Sequence, residues 1–362
     1  MKRTFVYVLI VEVIISTSTP IAATRRDNII NSTTIEEVQS NSNSKSNSEE
    51  DDWTYSNSKE GALVATETNS FDFNESNPNL FAACDGLGHN SFLAYARRFA
   101  KTIHLFYNED RVRKITLGDS VYGIACNNQY LYALTGQFYV KRITLRVFTN
   151  GDASTERTDV VDDLHSYKNG VQPSNIIIKN GVMFVQFSYW ISRWPLNDPA
   201  SDISLVSREG ATKLKIPRGE FSEPGNLAIN SNNRMFLARN PRGYLYMLST
   251  EGKVKSKLSL GEAIAEAGFN KSASLSGPYL SCLGDKSQSL LMSVSDSHHY
   301  KSAVIEIRYN SEKLFDSRTI LKMDNVQTGS LVSVLHIFGV AGYYRDSNTA
   351  KYKMVVYATN HH

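Results

Sequence analysis

The sequence predicts an all-β chain, a six-bladed β-propeller of four-stranded antiparallel blades whose last blade is closed by a strand from the N-terminal side. Two observations predict it. Strand-like segments recur at intervals of 51 to 53 residues, and a second landmark, the turn before the last strand of each unit, keeps step with them. Repeats of about 40–50 residues with four strands each are the mark of propeller blades, because each sheet buries its two faces on its neighbours. The alternatives are a seven-bladed ring and a two-sheet sandwich; a sandwich predicts no such beat.

Residues 1–23 come first. Lys2 and Arg3 precede an apolar run from Phe5 to Ile15, interrupted only by Glu12, and Pro20 and Ala22-Ala23 follow. A charged start, a greasy middle and a small-residue cleavage site read as a secretory signal peptide. A run of this length falls short of the roughly 20 apolar residues that span a bilayer. No later stretch is long and apolar enough either, so the expectation is an extracellular, secreted protein with no membrane span.

Residues 24–60 form an acidic leader rich in Ser and Asn. Between Thr24 and Pro78 there are 4 Lys and Arg against 11 Asp and Glu, whereas the whole chain carries a net charge of +3. The stretch Asn41 to Asp52 holds almost nothing that could be buried, which predicts disorder. The chain thus reads as an acidic arm on a basic body. Sequons at Asn31, Asn74 and Asn270 are glycan acceptors if the export route supplies the transferase.

Residues 61–362 hold the propeller. Its clearest unit runs from Pro224-Gly225-Asn226-Leu227-Ala228-Ile229 through Met235–Ala238 and Tyr244–Leu248, turns at Glu251-Gly252, and ends with Val254 to Leu260. Four short β-type runs separated by turn residues make one antiparallel sheet. Its leading residue, Asn226, is matched by Asn175 and Gly123 upstream, by Tyr279 and Ser330 downstream, and by Asn79 in an earlier, tighter copy. The second landmark recurs at residues 108–110, 150–152, 209–210, 251–252 and 310–312. Residues 261–268 read as a short helical connection between units four and five. The sixth unit lacks an outer strand, and residues 62–66 are the segment expected to supply it, since an open edge would otherwise remain.

The Pro224–Ile229 segment with Met235–Ala238 and the Ser249–Lys253 turn resembles the blades of NHL-repeat and gluconolactonase-like six-bladed propellers, over residues 173–260. The resemblance implies the fold and a range of activities, from calcium-dependent lactonases and esterases to non-catalytic binding domains. In the lactonase-like members, inner-strand Asn, Asp and Glu converge on a metal in the central channel. Here Asn79, Asn175 and Asn226 stand at matching positions, and oxygen ligands suit calcium. The other reading is that each caps a turn where a strand begins.

No Ser-His-Asp order, nucleophile elbow, phosphate-cradling loop or paired-Cys zinc spacing is present. His298-His299 falls in the expected loop between strands two and three of unit five. Of the three cysteines, Cys84 and Cys126, on neighbouring units, are the expected disulfide pair, while Cys126 and Cys282 sit on opposite units. Two features suit binding. Nine basic residues lie between Tyr95 and Arg146, among them Arg97, Arg98 and Arg142, against three acidic ones, which attracts anionic partners. Trp190, Arg193 and Trp194 form an expected loop of residue types that dominate interface hot spots.

The leading expectation is a secreted binding module without catalysis, engaging an extracellular protein or an anionic glycan. The alternatives are a calcium-dependent lactonase or esterase at the channel mouth and a small-molecule carrier using the channel. Export disfavours nucleic acid as a partner.

Overall fold

The computed structural model describes residues 64–73, 78–84, 92–108, 111–127, 130–136, 139–144, 158–163, 173–187, 190–196, 212–215, 226–284, 288–334, 337–345 and 349–360. Apart from one short helix, every element among the described residues is a strand. After β1 (Val64–Asp72), blade 1 comprises β2 (Leu80–Cys84), β3 (Phe92–Ala96), β4 (Thr102–Asn108) and β5 (Arg111–Thr116). Blade 2 comprises β6 (Val121–Cys126), β7 (Tyr130–Thr135), β8 (Tyr139–Thr144) and β9 (Thr158–Asp163). Blade 3 holds β10 (Pro173–Lys179), β11 (Val182–Phe187), β12 (Trp190–Pro195) and β13 (Thr212–Lys215). Blade 4 holds β14 (Leu227–Ile229), β15 (Met235–Ala238), β16 (Tyr244–Leu248) and β17 (Val254–Ser259). The helix α1 (Gly261–Glu266) then leads into blade 5, made of β18 (Leu275–Leu283), β19 (Ser289–Asp296), β20 (Lys301–Tyr309) and β21 (Leu314–Asp324).

Blade 6 takes β22 (Val326–Val334), β23 (Ile337–Arg345) and β24 (Ala350–Asn360), and its outer strand is β1. Val64 pairs with Asn360 and Asp72 with Lys353. The inner strands touch in the cyclic order β2, β6, β10, β14, β18, β22 and back to β2. The chain is therefore a closed six-bladed β-propeller, with the closing strand where the sequence places it.

Alternation of apolar residues on both faces of each blade explains the packing. Apolar clusters fill the seams between consecutive blades: Ile103 with Ile124, Val185 with Leu134, Leu237 with Phe184, Met292 with Phe236, and Val340 with Leu291. Ile264 of α1 adds to the seam between blades 4 and 5. The closing seam, between blades 6 and 1, is aromatic. Phe71 meets Phe106 edge to face at 5.1 Å, and Phe73 lies 4.8 Å from Tyr95.

Each inner strand begins at one end of the ring, called here the upper end. Antiparallel order brings the turn between the second and third strands to the same end. In blades 2, 3, 5 and 6 the ladder of the inner strand slips at residues 121–123, 173–175, 276–279 and 328–330. These recurrent bulges sit immediately before the leading residues and bend every such strand at the channel mouth. Neighbouring blades are latched there as well. Phe99 N donates to Val121 O at 2.7 Å and Val121 N to Ala100 O at 2.8 Å, while Val326 N donates to Tyr300 O at 2.8 Å.

Of the turn landmarks, 251–252 and 310–312 are seen. Gly252 has φ 78, and Asn310 Oδ1 accepts from Glu312 N and Lys313 N at 2.8 and 2.9 Å. Residues 109–110, 150–152 and 209–210 lie outside the described residues, as do the signal segment, the acidic leader and the sequons at Asn31 and Asn74. Among the described residues no helix is long and apolar enough to cross a membrane.

Candidate functional site

The upper end of blades 5, 6, 1 and 2 carries aromatic rings interspersed with cations. In blade 1 the turn between β3 and β4 presents Arg97, Arg98 and Phe99. Phe99 is 55% exposed and has φ 70, a left-handed conformation that a bulky side chain rarely adopts. Its ring meets Tyr122, on the bulge of blade 2, edge to face at 5.0 Å. The Arg98 guanidinium carbon lies 4.9 Å from the Phe99 centroid and 5.9 Å from that of Tyr122. Tyr122 lies over Gly136; a Cβ there would stand 2.8 Å from Tyr122 Cε2, so the ring owes its position to the missing side chain.

Across the closing seam, blade 6 carries a second group of rings at the same end. Burial and the neighbouring Tyr343 hold the Tyr352 phenol above its ordinary pKa, and the nearby Arg97 charge pulls it partly back. Tyr343 lies 5.1 Å from Tyr352 and 6.2 Å from Tyr300 of blade 5, over which Arg345 is placed at 5.5 Å. Tyr300, like Phe99, has positive φ, at 50°. Two of the exposed turns between second and third strands thus hold a strained aromatic residue, and such outliers point toward function.

His298 and His299 occupy the turn between the second and third strands of blade 5, as the sequence predicts. Asp296 is buried; its Oδ2 lies 2.7 Å from His299 Nδ1 and its Oδ1 accepts from His298 N at 3.0 Å. Burial alone would raise the Asp296 pKa, but these bonds outweigh it and hold the carboxyl below its ordinary value. The pair braces the turn that carries Tyr300.

The sequence-predicted site residues separate. Residues 190–195 are the strand β12, not a loop, because period-two alternation buries Ile191 and Ser192 on opposite faces of the blade. By the same alternation Arg193 belongs to the face opposite positions 190 and 194. Arg193 Nη1 donates to Thr250 O at 2.7 Å, tying blade 3 to blade 4, as Arg234 Nη1 ties blade 4 to Asn310 O at 2.8 Å. The side chains of Trp190 and Trp194 lie outside the described residues.

The basic stretch divides likewise. Arg97 and Arg98 stay together at the upper end. Arg142 is buried in β8 with its guanidinium 4.4 Å from the Tyr130 centroid, and Lys141 pairs with Asp119 at 2.8 Å. The neighbouring Tyr132 phenol is pushed by burial up to about 12, although Arg142 lowers it.

Asn79, Asn175 and Asn226 all stand at the upper end, but two of their amide oxygens are already engaged. Asn79 Oδ1 accepts from Arg98 N at 2.7 Å and Asn175 Oδ1 from Ile176 N at 2.9 Å. Asn226 Oδ1 is buried without a hydrogen bond among the described residues. With no carboxylate at the matching positions, this set does not fit calcium, which takes six to eight oxygens including carboxylates. The first two match the turn-capping reading. Among the described residues no group of three or more His, Cys, Asp and Glu could hold a metal ion. Cys126 is disulfide-bonded and Cys282 is not; the Cys84 side chain lies outside the described residues.

Sequence reasoning missed Tyr300, Tyr343, Tyr352 and Arg345 as a group. The available signal was positional. Aromatic and basic residues cluster at the turn between second and third strands in units one, five and six.

No family model matches the chain, and no curated relative matches it. Solved structures do. The PQQ-bound aldose sugar dehydrogenase of Streptomyces coelicolor superposes with a TM-score of 0.52 at 10% identity, over 82% of this chain and 98% of that one. The β-propeller domain of Cps50 (Swd1) from Myceliophteria thermophila gives 0.50 at 9%, over 82% and 100%. A DUF4221 family member from Bacteroides vulgatus gives 0.50 at 11%, over 83% and 98%. At these identities the likeness is one of fold.

Proposed function

We propose that this chain is a secreted, non-catalytic propeller that binds an anionic glycan, a sulfated or sialylated sugar chain, across the upper rim of blades 5, 6, 1 and 2. Fold alone carries no activity, so the reading rests on side chains. The observation that carries it is the placing of two groups of rings and cations on one rim, Tyr122, Phe99 and Arg98 with Arg97 on blades 2 and 1, and Tyr352, Tyr343, Tyr300 and Arg345 on blades 6 and 5, with Phe99, Arg97 and Arg345 exposed. Ring faces suit the apolar faces of sugars, and guanidinium forks suit sulfate or carboxylate. The positive body charge outside the leader favours the same class of partner.

The test is capture of the purified chain on an array of sulfated and sialylated glycans, repeated at rising salt. Capture should weaken with salt, and Arg97→Ala with Arg345→Ala should weaken it about tenfold, roughly 1.4 kcal/mol. Absence of capture, or capture indifferent to both arginines, overturns the reading, and capture of a protein alone replaces the glycan with a protein partner. Calcium calorimetry with a lactone screen addresses the catalytic alternative, because turnover would refute the non-catalytic claim.

A further inference from the structure

We infer that Asn270 is an N-glycan acceptor that the fold holds ready, and that the glycan it takes stands at the upper end of the ring beside blades 4 and 5. The inference shares only the export route with the glycan-binding reading and needs nothing of the rim.

Asn270, Lys271 and Ser272 are all exposed, immediately beyond α1. Ser272 Oγ donates to Asn270 Oδ1 at 2.9 Å, and Ser272 N donates to the same oxygen at 3.1 Å. Both bonds use the carbonyl side of the amide. Asn270 Nδ2 donates no hydrogen bond among the described residues, and the residue is exposed. The backbone is fixed meanwhile: Arg242 Nη2 donates to Asn270 O at 2.6 Å and to Ala273 O at 3.1 Å, while Ala273 N donates to Asn270 O at 3.2 Å. Phe269, the preceding residue, is buried in the seam between blades 4 and 5. The acceptor therefore sits on an anchored turn, and a bulky substituent on its nitrogen displaces no contact of the fold.

The transfer balances simply. The donor is a lipid-diphosphate-linked oligosaccharide. A bond forms between Asn270 Nδ2 and the anomeric carbon, the bond from that carbon to the diphosphate oxygen breaks, and the amide loses one proton as the lipid diphosphate leaves. No electron donor or acceptor is needed. Ser272 supplies the hydroxyl that the acceptor sequence demands two residues on.

Position gives the glycan a consequence. β17 runs toward the upper end and β18 starts from it, so the connection between them, with Asn270, belongs to the end that carries the aromatic row. The row spans blades 5, 6, 1 and 2, and the glycan would border it on the blade 4 side without covering Phe99 or Arg97.

The experiment is secretion of the full chain from a eukaryotic cell, followed by peptide mass analysis before and after an amidase that removes N-glycans and leaves Asp in place of Asn. The peptide holding residue 270 should carry hexosamine-rich glycan and convert to Asp. Asn270→Gln and Ser272→Ala should each abolish this mass and Ser272→Thr should keep it, which separates loss of the acceptor from loss of folding. An unmodified Asn270 in the recovered wild-type chain overturns the inference, whether the chain misses the secretory route or the route skips the site.

Discussion

Phe71 of the closing strand meets Phe106 of blade 1 edge to face at 5.1 Å, joining blade 6 to blade 1. The two rings, with Phe73 and Tyr95 beside them, hold the seam between blades 6 and 1. Both Phe71 and Phe106 are half-buried. Phe71→Ala should cost about 2 kcal/mol, below the range for a fully buried phenylalanine. Denaturant unfolding should report this cost, and an unchanged midpoint would show that the seam contributes little to closure.

At the rim, Phe99 trades stability for an exposed ring. Phe99→Gly relieves the left-handed backbone and should raise stability by about 1 kcal/mol. The same change should weaken glycan capture, since the ring that Arg98 covers is gone. Thermal melts paired with array binding test both halves; a less stable variant would contradict the strain assignment.

Glu306 is a buried carboxylate in β20, 1% exposed, bound by Arg318 Nε at 2.5 Å and Ser289 Oγ at 2.5 Å. Its cross-strand partner in β21 is Arg318 itself. Truncation leaves the guanidinium without its counter-charge in a partly buried setting, so Glu306→Ala should cost about 3 kcal/mol. Blade 5 should open first, which amide hydrogen exchange across β20 and β21 would register.

Alkaline titration should reveal the tyrosines held inside the blades. Burial raises Tyr132 and Tyr357 to about 12, and it raises Tyr309 and Tyr344 too. A raised pKa means stability present below the unfolded value near 10 and lost as pH climbs through the folded one. Phenolate absorbance should therefore show a late step that coincides with loss of the β-sheet signal. Early ionisation of every tyrosine with the fold intact would contradict the burial.

Asp296 behaves with the opposite sign. Its depressed pKa contributes stability above the ordinary value of 3.8, and this is lost as pH falls through the folded value. The melting temperature should drop at acid pH less steeply in Asp296→Asn than in the native chain. Parallel curves would show that the turn below Tyr300 does not depend on the carboxylate.

The ring was legible because its cause is periodic. Leading residues 51 to 53 apart and turns at Gly252 and Asn310 repeat in step, and the missing outer strand of unit six left one edge for residues near Val64 to fill. The rim was not legible because its members meet only once the ring closes. Tyr300 and Tyr352 are separated by a full blade in sequence, and Arg97 and Tyr352 stand on the two blades that the closing seam joins. Trp190 to Pro195 misled for a local reason. Tryptophan, arginine and proline together suggest a loop, yet Ile191 and Ser192 needed burial and their alternation made a strand.

The pairing of Val64 with Asn360 also sets an order of events. A chain emerging from its N-terminal side makes β1 long before β24, so β1 has no partner until β24 has been made. Blades 1 to 5 can assemble from local hairpins meanwhile, but blade 6 waits with an unpaired edge and exposed Phe71. The interval before β24 is made is therefore when this protein is most exposed to mispairing, and a helper that shields β1 would act in that interval.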